Sequence, residues 1–261
     1  MSDKTVYTEL WEKDAIEVLY KEFSAVVKPF ELPLLDMVVK RVNKIFKDKH
    51  ELSMFEIGAG TGKHTTIVLH GIAQNRSLSY TGIDVSSAQQ KQFEENSKDF
   101  PETVAVIDYT LSSWQEYPIS KRYYIVLAQH SWYGIGGALE NFEKLKEVIA
   151  DGGVCFIVLN SKENISRIAM EDNGESLFSS EDAGACLSAV GLSYERIRSF
   201  NEDNPRGKFY RDGRLTLHGI DYFSYLYRKE LQAEEQNVID MIQNAPDEAF
   251  RFPTDLIIVR P

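Results

Sequence analysis

The stretch "FEIGAGTGKH" at residues 55–64 constrains the fold of this chain more than any other segment. An apolar run precedes it and the helical pattern "HTTIVLHGIAQN" follows it, which indicates a strand, a glycine-rich turn and a helix. Glycines without a Cβ atom let the backbone turn sharply and let a ligand approach it closely. The sequence therefore predicts a βα unit whose connecting loop contacts a nucleotide.

Strand and helix patterns alternate beyond this loop. Apolar runs such as "SLSYTGIDV", "TVAVIDY", "RYYIVLAQH" and "VCFIVLNS" are separated by helical patterns such as "SSAQQKQFEENSKDF". This order is typical of a mostly parallel sheet that is covered on both faces. We therefore predict an α/β fold with a Rossmann-like, seven-stranded, mostly parallel sheet and helices on both faces. N-terminal helices and a helical insertion before the last strand complete it.

The length of 261 residues suits one domain with an ordinary buried core. We predict a single domain over residues 1–261. Its parts are a helical lid or cover at 1–50, a core that carries the glycine loop at 51–200, a helical insertion at 201–250 and a final strand at 251–261.

Charge and cysteine content argue against several classes of function. Asp and Glu outnumber Lys and Arg by 40 to 29, and no dense basic run occurs, so a nucleic-acid partner is not expected. Cys155 and Cys186 lie in apolar patterns, which indicates buried side chains rather than a disulfide or a metal site. We predict no metal. A signal-peptide core and an apolar run of about 20 residues are both lacking, so we expect a cytoplasmic protein without membrane contact. We expect a monomer or homodimer.

Two nucleotide-binding motifs can be compared with the loop. The ATP pattern G-x-x-x-x-G-K-[ST] would place its first glycine on Ile57 and a hydroxyl residue at His64, so it does not match. The NAD pattern G-x-G-x-x-G/A fits Gly58 and Gly60 but requires a small residue where Lys63 stands. Neither motif accounts for the loop.

The succession of strand, E-x-G-x-G-x-G, helix, second strand and acidic residue resembles class I methyltransferases over most of the chain. The resemblance implies S-adenosylmethionine as cofactor and S-adenosylhomocysteine as product. The ammonium and sulfonium of this cofactor favour a nearby carboxylate such as Glu56. Asp84 would accept hydrogen bonds from the ribose, and Asp108, expected to close the third strand, would bind the adenine amino group. The cofactor contacts implied are Glu56, Gly58, Ala59, Gly60, Gly62, His64, Asp84, Val85, Gln89, Asp108, Tyr109 and Gln129.

The segment after the fourth strand, "LAQHSWYG", lacks the proline motif of methyltransferases that modify bases in nucleic acid. A small-molecule partner is therefore expected. The segments "IDVSSAQQKQF", "LSSWQEY" and "IVLAQHSWYGI" are similar to histamine N-methyltransferase and its relatives. That resemblance implies methyl transfer to nitrogen, with Ser112 or Ser113 near the adenine and Gln129 in contact with the amine. Transfer to oxygen is the alternative.

Two residues at the end of the fourth strand are candidates for catalysis. Gln129 could orient the acceptor, because methyl transfer from a sulfonium depends mainly on positioning. His130, with an ordinary pKa of about 6.5, could act as base. It could instead cap the next turn or pack on the adenine. The acceptor contacts that we predict are Glu31, Gln129, Trp132, Tyr133 and Tyr222, and core packing of a helical cap also explains the aromatic residues among them.

Two other functions remain open at this point. The chain could methylate protein side chains, or it could bind S-adenosylmethionine as a regulator without turnover. An open pocket around Gln129, His130 and Trp132 would favour an enzyme, and a pocket filled by the cap would favour a regulator.

Overall fold

A seven-stranded sheet forms the centre of the structure, a computed structural model that describes residues 32–74, 76–200, 206–227, 231 and 234–261. The strands are β1 (Glu51–Ile57), β2 (Ser77–Asp84), β3 (Val104–Leu111), β4 (Tyr123–Gln129), β5 (Ile149–Asn160), β6 (Ser193–Ser199) and β7 (Thr254–Arg260). Their order across the sheet is β3-β2-β1-β4-β5-β7-β6. β7 runs antiparallel to β5 and β6, whereas the pairs among β1 to β5 are parallel.

The direction in which strands are added reverses between β1 and β4. Chain order runs outward from β1 to β3 on one side and from β4 to β5 on the other. The loops that follow the carboxyl ends of β1 and β4 therefore lead in opposite directions and leave a crevice between them. In open α/β sheets, such a crevice is where ligands bind.

Helices cover both faces of the sheet because successive strand residues point to opposite sides. On one face α1 (32–45), α2 (Lys63–Ile72) and α3 (Ser87–Asn96) pack against β4 residues Ile125 and Leu127. On the other face α4 (Leu139–Val148) and α6 (Ser180–Ala189) pack against Val126 and Ala128. The predicted α/β fold with a mostly parallel sheet between helical layers is confirmed.

A helical cap with its own apolar core lies at the carboxyl edge of the sheet. It comprises α5 (Ile165–Asp172), a helical turn at Arg206–Phe209, a hairpin of Tyr210–Arg211 with Arg214–Leu215, α7 (Leu217–Tyr227), α8 (Glu235–Asn244) and the turn Asp247–Arg251. The insertion predicted at 201–250 thus shares its core with α5, which the sequence assigned to the 51–200 core. Apolar periodicity identifies a helix but does not show which neighbour it packs against.

Two further predictions concern the N-terminal helical cover and membrane contact. Of the helical cover predicted at 1–50, the structure describes α1, and residues 1–31 lie outside the described residues. No helix in the described ranges combines the length and hydropathy needed to cross a bilayer.

Candidate functional site

The loop after β1 has a backbone conformation that glycine adopts readily. Gly58, Gly60 and Gly62 have φ angles of 73°, 53° and 75°, where a side chain would be strained. Space is also lacking, because a Cβ atom on Gly58 would collide with the Cβ of Ser131 and one on Gly60 would lie 2.8 Å from Gln89 Oε1. Both backbone shape and close approach therefore require glycine in this loop.

Asp84 connects the end of β2 to the glycine loop. Its Oδ2 accepts the Gly60 N–H at 2.9 Å, and its Oδ1 accepts the Ser86 N–H at 2.9 Å. Ser86 also caps α3 by accepting the Gln89 N–H. Burial raises the pKa of Asp84 above its ordinary value, while the hydrogen bonds from backbone N–H groups oppose that rise. The carboxylate predicted to bind ribose thus lies beside the loop.

Glu56 lies beneath the same loop and is 2% exposed. Its Oε2 accepts hydrogen bonds from Thr65 Oγ1 at 2.6 Å and from Tyr80 OH at 2.7 Å. Burial raises the pKa of Glu56 from 4.5 to about 7, the two hydroxyl hydrogen bonds oppose the rise, and the Asp84 charge adds to it. This carboxyl group titrates near neutral pH, and a cation beside it would favour the ionised form.

Half-exposed apolar side chains lie next to Asp84. Val85 is 42% exposed and Leu111, at the end of β3, is 47% exposed. The Ser112 N–H donates to the Asp84 carbonyl at 2.9 Å, which joins the ends of β2 and β3. A flat aromatic base can pack against apolar side chains at such an edge. Sequence reasoning missed Leu111, because it ended the strand too early.

The prediction that Asp108 closes the third strand is wrong. β3 continues to Leu111, and Asp108 pairs with Thr81 in the middle of the ladder with an exposed side chain. Tyr109 and Thr110 follow Asp108, and aromatic and β-branched residues of this kind favour continued strand pairing. The position level with Asp84 is taken by Leu111 instead.

Gln129 and His64 meet where β4 ends beside the glycine loop. Gln129 Nε2 lies 3.1 Å from Nδ1 of His64, which stands in the first turn of α2. Gln129 Oε1 is buried without a hydrogen-bond partner among the described residues, and so is the Oγ of Ser131. Sequence reasoning missed Ser131, since a lone serine in a loop carries no motif. Two buried polar atoms at this edge therefore have hydrogen-bonding capacity that no described residue uses.

His130 follows Gln129 with a positive φ of 51°. Its Nδ1 lies 3.0 Å from Tyr133 OH, which also accepts the Asn160 N–H at 2.8 Å. Burial lowers the pKa of His130 to about 3, and the nearby His64 acts in the same direction. The sequence-based assumption of an ordinary pKa is therefore wrong, and the ring is neutral and weakly basic at neutral pH.

Two of the predicted acceptor contacts lie in apolar cores. Trp132 is completely buried and packs on Trp114 and Phe142. Tyr222 is buried in the cap, where its hydroxyl lies 2.7 Å from Ser166 Oγ. Neither side chain is accessible to a ligand, so the structure contradicts both predictions.

The remaining acceptor candidates differ in their placement. Tyr133 is half-buried beside His130 and stays a candidate. Glu31 lies outside the described residues. No group of three His, Cys, Asp or Glu side chains in the described part of the chain could hold a metal ion.

The sheet order defines a Rossmann-like α/β fold. No protein-family model and no curated protein matches the sequence. Solved structures match it. Magnesium protoporphyrin IX methyltransferase (ChlM) from Synechocystis PCC 6803, solved with bound S-adenosylmethionine, has a TM-score of 0.59 and 10% identity, with 100% of this chain and 98% of that chain covered.

Two further structures are similar. The plantazolicin methyltransferase BpumL in complex with S-adenosylhomocysteine has a TM-score of 0.57 and 15% identity, covering 98% of this chain and 95% of its own. An S-adenosylmethionine-dependent methyltransferase from Geobacter sulfurreducens, in complex with S-adenosyl-L-homocysteine, has a TM-score of 0.52 and 13% identity, covering 85% and 90%. At these identities the likeness establishes the fold: this chain has the class I methyltransferase fold.

Proposed function

We propose that this protein is an S-adenosylmethionine-dependent methyltransferase that transfers a methyl group to nitrogen of a small-molecule acceptor. The observation that carries the proposal is one shared edge: the glycine loop, Asp84 and Gln129 lie at the carboxyl ends of β1, β2 and β4. This is where open α/β sheets bind their ligands. The three similar structures contain S-adenosylmethionine or S-adenosylhomocysteine, which supports the same cofactor here.

The residues at this edge fit that cofactor chemically. Asp84, next to the exposed side chain of Val85, suits a ribose with a flat base beside it. Glu56 beneath the loop suits an ammonium group, because a nearby cation offsets the cost of ionising a buried carboxyl group. Further contacts that we propose come from Ala59, Gly62, Gln89 and Tyr109 around the loop. When bound, S-adenosylmethionine supplies an electrophilic methyl group on sulfur.

The chain itself contributes orientation at the end of β4. Gln129 presents a buried amide oxygen that can accept a hydrogen bond from an N–H group. Holding the acceptor in line with the methyl group is the main requirement of such a transfer. Tyr133 remains a candidate to pack against the acceptor, and the histamine N-methyltransferase-like segment around Gln129 supports an amine.

Binding and turnover experiments test this proposal. Calorimetry should show micromolar binding of S-adenosylmethionine and S-adenosylhomocysteine, and no binding of NAD or ATP. Transfer from methyl-labelled S-adenosylmethionine should then be measured on amines, amino acids and phenols, with whole-protein substrates in parallel. Binding of NAD without S-adenosylmethionine would overturn the cofactor. Label in protein alone would indicate a side-chain methyltransferase, and binding without any transfer a regulator.

A further inference from the structure

The Gln129 amide faces His64 with its nitrogen end. Gln129 Nε2 and His64 Nδ1 are 3.1 Å apart. An amide nitrogen donates hydrogen bonds and does not accept them, whereas a neutral imidazole accepts through the ring nitrogen that lacks a proton. His64 Nδ1 is therefore the acceptor in this pair, and the neutral ring carries its proton on Nε2.

The other end of the same amide is the polar atom that still lacks a partner. Gln129 Oε1 is buried and accepts no hydrogen bond from the described residues. Buried polar atoms are nearly always satisfied in folded proteins. A carbonyl oxygen left in this state at the carboxyl edge of the sheet calls for a ligand that donates a hydrogen bond.

We propose that His64 is a positioning residue that turns the Gln129 carbonyl oxygen towards the methyl acceptor and thereby selects acceptors that carry an N–H or O–H group. This inference rests on the proposed function. If the amide faced the other way, Nε2 would point to the acceptor and would select a carboxylate or another hydrogen-bond acceptor instead. His64 thus decides the polarity of the acceptor site from the first turn of α2, although it needs no contact with the reacting atoms.

A neutral primary amine can donate a hydrogen bond to such a site and still attack the methyl group with its lone pair. One N–H donates to Gln129 Oε1 and fixes the nitrogen, while the lone pair stays free. That lone pair forms the new N–C bond as the C–S bond breaks and its electron pair goes to sulfur. The methylated nitrogen then releases its additional proton to water. A thiolate has no hydrogen to donate, so the same site would not orient it.

The tautomer of His64 can be observed directly, without any turnover. Two-bond ¹H–¹⁵N spectra of the ¹⁵N-labelled protein near pH 7.5 report which ring nitrogen is protonated, and the loss of one set of signals in His64→Leu assigns that set to His64. We expect the proton on Nε2. A ring with its proton on Nδ1 would place the Gln129 oxygen towards His64 and would overturn the proposal.

Activity with matched probes tests the consequence for the acceptor. The probes are 2-phenylethylamine, 2-phenylethanol and 2-phenylethanethiol, which share one frame and differ in the donor. We expect the amine or alcohol to be methylated in preference to the thiol. His64→Leu should lower kcat/KM for that probe about tenfold or more, because a small misplacement costs as much as 100-fold. Saturating S-adenosylmethionine keeps any loss of the cofactor contact implied for His64 out of this comparison.

Two further variants separate positioning from a general effect on α2. His64→Asn keeps an acceptor near the position of Nδ1 and should restore most of the activity. His70→Leu changes an exposed histidine on the same helix, whose Nε2 contacts the Asp99 carbonyl, and should act like the wild type. Full activity of His64→Leu, equal losses in His64→Leu and His64→Asn, or a preference for the thiol would overturn the proposal. Wild-type protein that binds S-adenosylhomocysteine but methylates no probe would count against the proposed function, and the tautomer would still decide the role of His64.

Discussion

The carboxyl ends of β1 and β2 differ from that of β4 in how their polar groups are satisfied. At β1 and β2, Glu56 accepts two hydroxyl hydrogen bonds, and Asp84 accepts two backbone N–H groups of the loop and the next turn. At β4, the buried atoms Gln129 Oε1 and Ser131 Oγ lack hydrogen-bond partners within the described ranges. The protein itself supplies hydrogen bonds to the two carboxylates, whereas no described residue supplies one to the two β4 atoms.

The difference indicates two kinds of binding region at one edge. The β1–β2 region is fixed by the protein itself, so a ligand finds its carboxylates already in place and loses little free energy in ordering them. The β4 region keeps buried acceptor atoms unsatisfied, each at a cost of about 1–3 kcal/mol. A ligand that donates hydrogen bonds recovers that cost. We therefore infer that the first region holds the cofactor and the second the acceptor.

The largest expected effect comes from disturbing the loop of the first region. Gly58→Ala would strain a φ of 73° and bring its Cβ into collision with Ser131. The loop must then move, and we expect S-adenosylhomocysteine to bind at least about 100-fold more weakly, which corresponds to about 2.7 kcal/mol. Calorimetry measures the loss.

Gly152→Ala is the matched control for this change. Gly152 has a nearly equal φ of 72°, but no atom lies within 4 Å of the position of its Cβ. Both variants should lose about 1–2 kcal/mol of stability from backbone strain, and only Gly58→Ala should lose binding. Equal binding by the two variants would show that the close approach at Gly58 has no part in the site.

The second effect in size is the pH dependence of binding. Glu56 must ionise to pair with an ammonium group, and its pKa is about 7 in the ligand-free protein. Near pH 5.5 about 3% of it is ionised, so S-adenosylhomocysteine should bind about thirtyfold more weakly than at pH 8. Asp84 also has a raised pKa, and Glu56→Gln isolates the part due to Glu56. An unchanged pH dependence in Glu56→Gln would assign the effect to another group.

The Glu56 carboxyl group also makes the stability of the ligand-free protein depend on pH. Stability should fall as the pH rises, whereas binding of the cofactor should strengthen. The pKa of Glu56 is raised on folding, from 4.5 to about 7, so the folded state binds the proton more tightly than the unfolded state. This contribution to the free energy of unfolding is complete below pH 4.5 and is lost as the pH rises through about 7. The loss amounts to about 3 kcal/mol. Urea unfolding at several pH values should show it in the wild type and not in Glu56→Gln.

A third comparison tests the two aspartates of neighbouring strands. Asp84→Ala removes the acceptor of two backbone N–H groups beside the proposed ribose, and should weaken cofactor binding at least about tenfold. Asp108 is exposed in the middle of β3, so Asp108→Ala should change the dissociation constant by less than about twofold. Equal losses in the two variants would support the expectation that Asp108 binds the adenine amino group.

The features that the sequence predicted correctly are those set by local pattern. Alternation of apolar runs with helical periodicity predicts a mostly parallel sheet between helices, because each element must bury its own apolar face. The loop at Gly58–Gly62 is also local, since its positive φ angles require glycine wherever the chain goes next. The same local pattern predicted the position of Asp84 at the end of the next strand.

The features that the sequence did not predict depend on contacts between distant segments. Trp132 resembles a pocket residue in the sequence, but it is buried against Trp114 and Phe142 from other elements. Tyr222 is likewise held by Ser166 of α5, 56 residues away. Burial also moves the pKa of His130 far from its ordinary value. No single-segment pattern reports burial of this kind, because it arises from tertiary packing.

The smallest expected effect concerns His130 in the second region. Its pKa of about 3 means that the ring is unprotonated throughout the neutral range and accepts a proton poorly. At saturating S-adenosylmethionine, where the bound cofactor keeps Glu56 ionised, we therefore expect any rise of turnover with pH above 6 to report deprotonation of the acceptor and not of His130. His130→Asn keeps a residue type that tolerates the positive φ of 51°, and its turnover should fall less than about threefold, because assistance by a true base contributes 10²–10⁴-fold. The pH–rate profile should keep its single limb at the same midpoint, since the ionising group is unchanged. If His130→Asn instead lost 100-fold or more and regained rate at high pH, His130 would be the base, and bound ligands would have to raise its pKa towards neutrality.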